Sequence, residues 1–352
     1  MDKTRQPNNI GFLRLVFASG VILTHAHEQW GQAPAGRDLL QTMTGNGLTV
    51  AALCVDAFFL ISGYLIVQSM HHSRDIGSYF VKRVLRIFPG FLVAFLLSAL
   101  LVPLLYGLAP DLGQIWRIAI LQRPEPFAIG ATIVEPNSPM WTISYEFRCY
   151  VLVALLAAFG QLERRTMLLK ATAIVFALFC FCNIPAVYWR VEQFRFLPLV
   201  DMTLGAPYPA LRFLSAFGFG GCAYLYRAEL QAVSSRFCII AGIIALAALF
   251  YRPIAQPAAM LGGGLLLYWA AFRANFGPLQ RINDRFDISY GTYLYGYPLG
   301  IVWSFAALPF PIYVGATLLS AWAMGALSWM LIERPAQRWK SRLDGKAPAL
   351  PA

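Results

Sequence analysis

The chain has 352 residues, of which 58% are hydrophobic and only 13% charged, with a mean hydropathy of +0.58. A soluble domain carries about 25% charged residues, so the composition excludes a soluble globular enzyme. The net charge of +11 needs no nucleic acid to explain it, because basic residues gather on the inner loops of membrane proteins.

Apolar runs long enough to cross roughly 30 Å of hydrocarbon recur along the whole chain. Ten spans are predicted, over 10–27, 48–69, 87–108, 141–160, 166–182, 209–226, 235–251, 254–272, 289–307 and 311–332. The expected fold is an all-α polytopic membrane protein, a bundle of about ten transmembrane helices. An even number puts both ends on one side. Most of the 28 Lys and Arg then fall on the same side as the ends, so both termini are expected in the cytoplasm. The organisation expected is a single integral-membrane domain over 1–335 and a short basic cytoplasmic tail over 336–352.

The first span carries Arg14 and His25 in otherwise apolar surroundings. They are separated by three helical turns, about 16 Å along one stripe. Ionisable groups cost roughly 2.5–3.5 kcal/mol or more at a bilayer centre, so a span that keeps two of them usually uses them. Histidine exchanges a proton near neutral pH, and arginine carries a permanent charge suited to phosphate. The competing reading of His25 is an interfacial histidine. His27 sits about 200° around the helix, and the string His25-Ala26-His27-Glu28 lacks the i, i+4 pair of a zinc helix. No metal is expected, and the six cysteines read as small buried apolar groups.

The second span holds Val55-Asp56-Ala57-Phe58-Phe59-Leu60-Ile61-Ser62-Gly63-Tyr64. Asp56 is a third intramembrane ionisable residue, and Ser62-Gly63 reads as a packing contact. The third span opens with Lys82-Arg83-Val84-Leu85-Arg86-Ile87-Phe88-Pro89, where Arg83 and Arg86 share a face. Such a pair suits a phosphate-bearing ligand but also fits ordinary inner-surface anchoring.

The fourth span contains Trp141-Thr142-Ile143-Ser144-Tyr145-Glu146-Phe147-Arg148-Cys149-Tyr150. Glu146 enters from the outer side at a depth similar to His25. It either joins a buried ion pair or orients an imidazole. The outer segments 28–47, 109–140 and 183–208, rich in Pro, Gly and aromatic residues, are candidates to cover an outward-facing site. Near the end stand Ser289-Tyr290-Gly291-Thr292-Tyr293-Leu294-Tyr295-Gly296-Tyr297-Pro298 and Glu333-Arg334-Pro335. Both read as structural, with Glu333 placed to pair with the Arg83/Arg86 cluster.

Taken in order, these strings resemble the membrane acyltransferase-3 family, integral-membrane O-acyltransferases that decorate bacterial surface and secreted glycans. The resemblance runs from residue 10 to 335. It implies a ten-helix core in the bacterial inner membrane, acyl-CoA (most often acetyl-CoA) as donor, and a glycan or lipid-linked sugar as acceptor. It also implies that the residues matching His25 and Arg14 are required and that Arg83 and Arg86 serve the donor. Many members have a histidine where this chain has Gly296, which moves weight onto His25. No esterase-like domain follows Glu333, so the stand-alone form is expected.

The resulting expectation is a donor held by Arg14, Arg83 and Arg86, with the thioester reaching His25. His25 acts as general base or as nucleophile, and Glu146 or Asp56 orients its ring. The same intramembrane charges would also suit a proton-coupled transporter or flippase of a glycan or lipid, although no inverted repeat is visible. A glycan polymerase or ligase would need no clamp for CoA phosphates.

Overall fold

The structure is a computed structural model that describes residues 8–30, 37–45, 48–195 and 198–343. Lys3, Arg5, Lys346 and tail residues 344–352 lie outside the described residues, as do parts of segments 28–47 and 183–208.

Ten principal helices follow one another: α1 Ile10–Gln29, α2 Val50–His71, α3 Ile76–Leu105, α4 Trp141–Ala158 and α5 Arg165–Cys182, then α6 Pro207–Leu225, α7 Ser235–Ala248, α8 Arg252–Phe272, α9 Ser289–Ser304 and α10 Phe310–Trp339. Each falls on one predicted span. Helices dominate because the hydrocarbon offers no water to backbone polar groups, and a helix satisfies them within itself. Seven (α1 to α5, α8 and α10) are long and apolar enough to cross a membrane. Length sets α7 and α9 apart, with 14 and 16 residues. In α6 the cause is composition, since Pro207, Pro209 and Arg212 crowd its first turns.

Local signals set several helix starts. Thr49 caps α2 by accepting from the Ala52 amide at 2.9 Å, and Ser234 caps α7 by accepting from the Phe237 amide. Proline begins α6, where a missing N–H costs nothing. Between α3 and α4 lies the one sheet among the described residues, an antiparallel hairpin pairing Phe127–Ile129 with Thr132–Val134. Two π turns interrupt regular helix, at Ala259–Gly263 in α8 and Trp329–Glu333 in α10.

The helices gather in two compact units, the first holding described residues up to 30, 80–144 and 275 onward, the second 37–79 and 145–274. In the first unit α9 packs on both α1 and α10. Asn137 is wholly buried and donates to Ser98 Oγ (2.9 Å) on α3 and to the Leu294 carbonyl (2.8 Å) on α9. Tyr293 donates to the Pro139 carbonyl at 2.8 Å, so the segment before α4 is tied to the same helix.

In the second unit α2 lies against α6 with backbone touching backbone. A Cβ on Gly63 would collide with the Phe217 carbonyl, and one on Gly220 with the Leu60 carbonyl. Lipid tails are as apolar as leucine, so membrane helices associate through this kind of close approach. The expected packing role of Gly63 is therefore what the geometry displays.

Candidate active site

The N-terminal end of α1 is anchored by a carboxylate that the sequence patterns did not single out. Arg14 donates to Asp287 Oδ2 at 2.6 Å, and Arg86 reaches the same oxygen at 2.5 Å. Arg86 also binds Glu333 Oε2 at 3.2 Å, and Glu333 is completely buried. Asp287 Oδ1 accepts from Ser289 Oγ (2.5 Å), the Ser289 amide (3.2 Å) and Asn283 Nδ2 (3.1 Å). Asn283 in turn donates to the Gly11 carbonyl at 2.9 Å, closing the segment before α9 onto the start of α1. Asn283 sits at φ +59°, a left-handed conformation that asparagine tolerates well.

Burial alone would raise the Asp287 carboxyl. The guanidinia of Arg14 and Arg86, with the Ser289 hydrogen bonds, overcome that and hold it well below the usual carboxylate range. The Arg86 guanidinium further stands 5.6 Å from the Tyr290 ring and 5.7 Å from the Trp329 ring. Of the three predicted phosphate-binding arginines, the structure gathers Arg14 and Arg86 around one acid. Arg83 lies one turn before Arg86 on α3, half-buried. The cluster is compact and close to neutral, with Arg14 and Arg86 side chains 23% and 18% exposed. An anion reaching them competes with Asp287.

At the other end of α1 the His25 ring packs edge-on to Tyr297 of α9, centroids 5.1 Å apart. Its Nδ1 lies 2.7 Å from Glu28 Oε2, one turn along the same helix. An ionised carboxylate only accepts, so Nδ1 donates to it, and in the neutral imidazole this leaves the lone pair on Nε2. This is the geometry of an oriented base. Glu28 was visible in the sequence at i+3 from His25, a spacing that puts two side chains on one face. Asp287 offered no such signal, because its partners lie far away in the chain. His27 turns elsewhere, its Nδ1 on the Leu23 carbonyl and its ring against Phe310.

Gly296 has a steric reason to be glycine. A Cβ there would sit 2.5 Å from Ile22 Cγ1 of α1, so the α1–α9 contact fills the space a histidine would need.

The two remaining predicted site carboxylates belong to the second unit, each with partners of its own. Glu146 Oε1 accepts from Ser62 Oγ at 2.7 Å and from Tyr150 OH at 2.6 Å. Asp56, almost fully buried, accepts from Arg212 Nε (2.7 Å) and Gln256 Nε2 (2.8 Å). Arg212 also donates to the Ala52 carbonyl at 2.8 Å. Arg148, which faces away from Glu146, lies 4.6 Å from the Tyr145 ring. A buried acid needs paired donors, yet the sequence alone does not reveal that Arg212 and Gln256 supply them.

Residues 8–333 match the family model described as an acyltransferase domain. Nodulation protein 10 of Rhizobium leguminosarum bv. viciae is 27% identical over 96% of this chain and 95% of its own length. The O-acetyl transferase of Shigella phage Sf6 is 24% identical over 91% and 93% of the two chains. Acyltransferase MdmB of Streptomyces mycarofaciens is 27% identical over 42% of this chain and 38% of its own length. No solved structure matches significantly.

Proposed function

The chain belongs to the acyltransferase-3 family and is a polytopic membrane acyltransferase, and we propose that it moves an acetyl group from cytoplasmic acyl-CoA to a sugar hydroxyl. The acceptor in this reading is a cell-surface or secreted polysaccharide, or its lipid-linked precursor, handled in a bacterial inner membrane. Support for acetyl comes from the relative named an O-acetyl transferase, matched over nearly its full length.

One observation carries the reading. A single helix presents a guanidinium beside a second arginine at one end and a carboxylate-oriented imidazole at the other. About three turns, or 16 Å, separate them, on the order of the length of a pantetheine arm. In this proposal Arg14, Arg83 and Arg86 attract the CoA phosphates, with Asp287 holding the first and last in place until the donor arrives. His25 Nε2 takes the proton of the acceptor hydroxyl as its oxygen attacks the thioester carbonyl. The thiolate of CoA leaves and is protonated from the imidazolium. Glu28 stabilises that imidazolium through Nδ1. An acyl-histidine intermediate formed on Nε2 is the other order of the same events. Glu146, fixed by Ser62 and Tyr150, stands as a second carboxylate for the acceptor. Asp56 supports the site by holding α2 to Arg212 and Gln256.

The test is release of free CoA from acetyl-CoA by purified protein, with an acceptor glycan added and with Arg86→Ala beside wild type. Acceptor-dependent release, with an elevated KM for acetyl-CoA in Arg86→Ala, is expected. A transporter or flippase would leave the thioester intact.

A further inference from the structure

The second unit contains an apolar cavity of about 300 Å3 among α2, α5, α6 and α8 that the proposed reaction does not use. Its origin is local. The π turn at Ala259–Gly263 interrupts α8 beside the cavity, and such turns are frequent at functional sites. Gly264 follows directly and gives the wall no side chain; a Cβ there would meet only Leu60, at 3.6 Å. The cavity is partly open, and its wall of Leu60, Met260 and Leu265 is short of dispersion contacts unless something apolar fills it.

Length and rim point to what fills it. From Met260 to Phe272 the cavity follows α8 for about 18 Å, close to one leaflet of a hydrocarbon core about 30 Å thick. Tyr226, Tyr268 and Phe272 line the end at which α2, α6 and α8 all terminate. Arginines surround that end. The Arg165 guanidinium is 4.9 Å from the Tyr226 ring, and that of Arg227 is 4.6 Å from Tyr224. Tyr268 OH donates to the Arg227 carbonyl at 3.4 Å, and Arg273 follows Phe272 and donates to the Val233 carbonyl. The nearby carboxylates are Glu229, paired with Arg165, and Glu163, paired with His71. Three guanidinia against two acids leave the rim positive.

We propose that this cavity binds one acyl chain of an anionic glycerophospholipid, with the phosphate held at the rim by Arg227 and Arg165. The apolar wall selects a hydrocarbon chain, the depth selects a leaflet, and the charge selects the headgroup. A bound lipid of this kind would brace α8 at its π turn.

The experiment uses full-length protein washed in mild detergent, followed by mass-spectrometric counting of retained lipid per chain. About one phosphatidylglycerol or other anionic phospholipid per wild-type chain is expected. Gly264→Leu and Ala223→Leu, which fill the cavity, should each lower this at least five-fold, and Arg227→Ala should shift what remains toward zwitterionic lipid. Gel filtration checks that each variant is folded. If neither filled variant folds, thermal unfolding of wild type with added phosphatidylglycerol or phosphatidylcholine decides. A saturating rise in Tm with phosphatidylglycerol alone is expected. Equal retention in wild type and a folded filled variant, equal response to both lipids, or retention of acyl-CoA instead of phospholipid overturns the proposal.

Discussion

At the scale of single residues, two carboxylates orient the candidate groups at the two ends of α1. Glu28 fixes the His25 ring, and Asp287 joins Arg14 to Arg86. If His25 Nε2 is the base or nucleophile, His25→Ala should lower acetyl transfer by at least 10²-fold, the scale of general-base catalysis. Glu28→Gln should lower kcat less, because it keeps a hydrogen-bond acceptor but loses the charge that stabilises the imidazolium. Steady-state kinetics on variants with wild-type expression checks both, and full activity in His25→Ala would sink the mechanism. For Asp287 the prediction concerns stability. A carboxyl depressed in the folded state stabilises the fold at pH above its unfolded value, roughly 3.9, and loses that contribution as pH falls through its folded value. Asp287→Asn should therefore lower Tm by about 5 °C or more, because it strands the partly buried Arg14 guanidinium and leaves Arg86 with Glu333 alone. That difference should be constant from about pH 5 to 8 and shrink only below about pH 4. A difference that persisted unchanged in strong acid would show that the charge of Asp287 is not its source. The sequence flagged Arg14, Arg86 and His25 because charge within apolar runs is costly. It could not flag Asp287, which sits in an ordinary polar connection and becomes central only when α1, α3 and the start of α9 converge.

At the scale of helices, the hydrophobic pattern was highly legible. All ten predicted spans fall on helices, because a run of apolar residues in lipid has few alternatives to a helix. Details that depend on neighbours were not legible. The π turn in α8 leaves no distinctive pattern beyond Gly262-Gly263-Gly264, and the tight α2–α6 contact follows from where Gly63 and Gly220 meet. That contact gives a direct prediction. Gly63→Ala places a methyl group against the Phe217 carbonyl, and overpacking of this kind costs about 1–3 kcal/mol. Ser62→Ala, one residue earlier, removes a donor from Glu146 without touching α6. It should cost only about 1 kcal/mol in stability, with a larger effect on turnover if Glu146 serves the acceptor. Thermal unfolding beside kinetics separates the two, and comparable unfolding losses for both variants would refute the distinction. Gly296→His tests the α1–α9 contact in the same way. It should destabilise the protein unless Ile22→Ala makes room, and a double variant no better than the single one would contradict the Ile22 clash.

At the scale of the whole molecule, the proposed chemistry requires that the two ends of α1 serve opposite sides of a membrane. Loop charge predicts that the Arg14 end faces the cytoplasm, the side on which the proposed acyl-CoA donor would arrive, and the His25 end the outside. This sidedness can be tested without any activity. Thr132, in the exposed hairpin between α3 and α4, and Arg74, almost fully exposed between α2 and α3, lie on loops predicted to face opposite compartments. Five of the six native cysteines are buried, and Cys180 is half-buried on a membrane-spanning helix, so single added cysteines at these two positions can be read against a low background. A membrane-impermeant maleimide applied to intact cells should label Thr132→Cys readily and Arg74→Cys only after the membrane is opened. The reverse pattern would put Arg14 and Arg86 on the outer face, away from any cytoplasmic thioester. A donor site there would be chemically idle, and the arginine cluster would reduce to an ion-paired brace for α1. The expected pattern instead leaves acyl transfer along α1 as the arrangement that uses both of its ionisable ends.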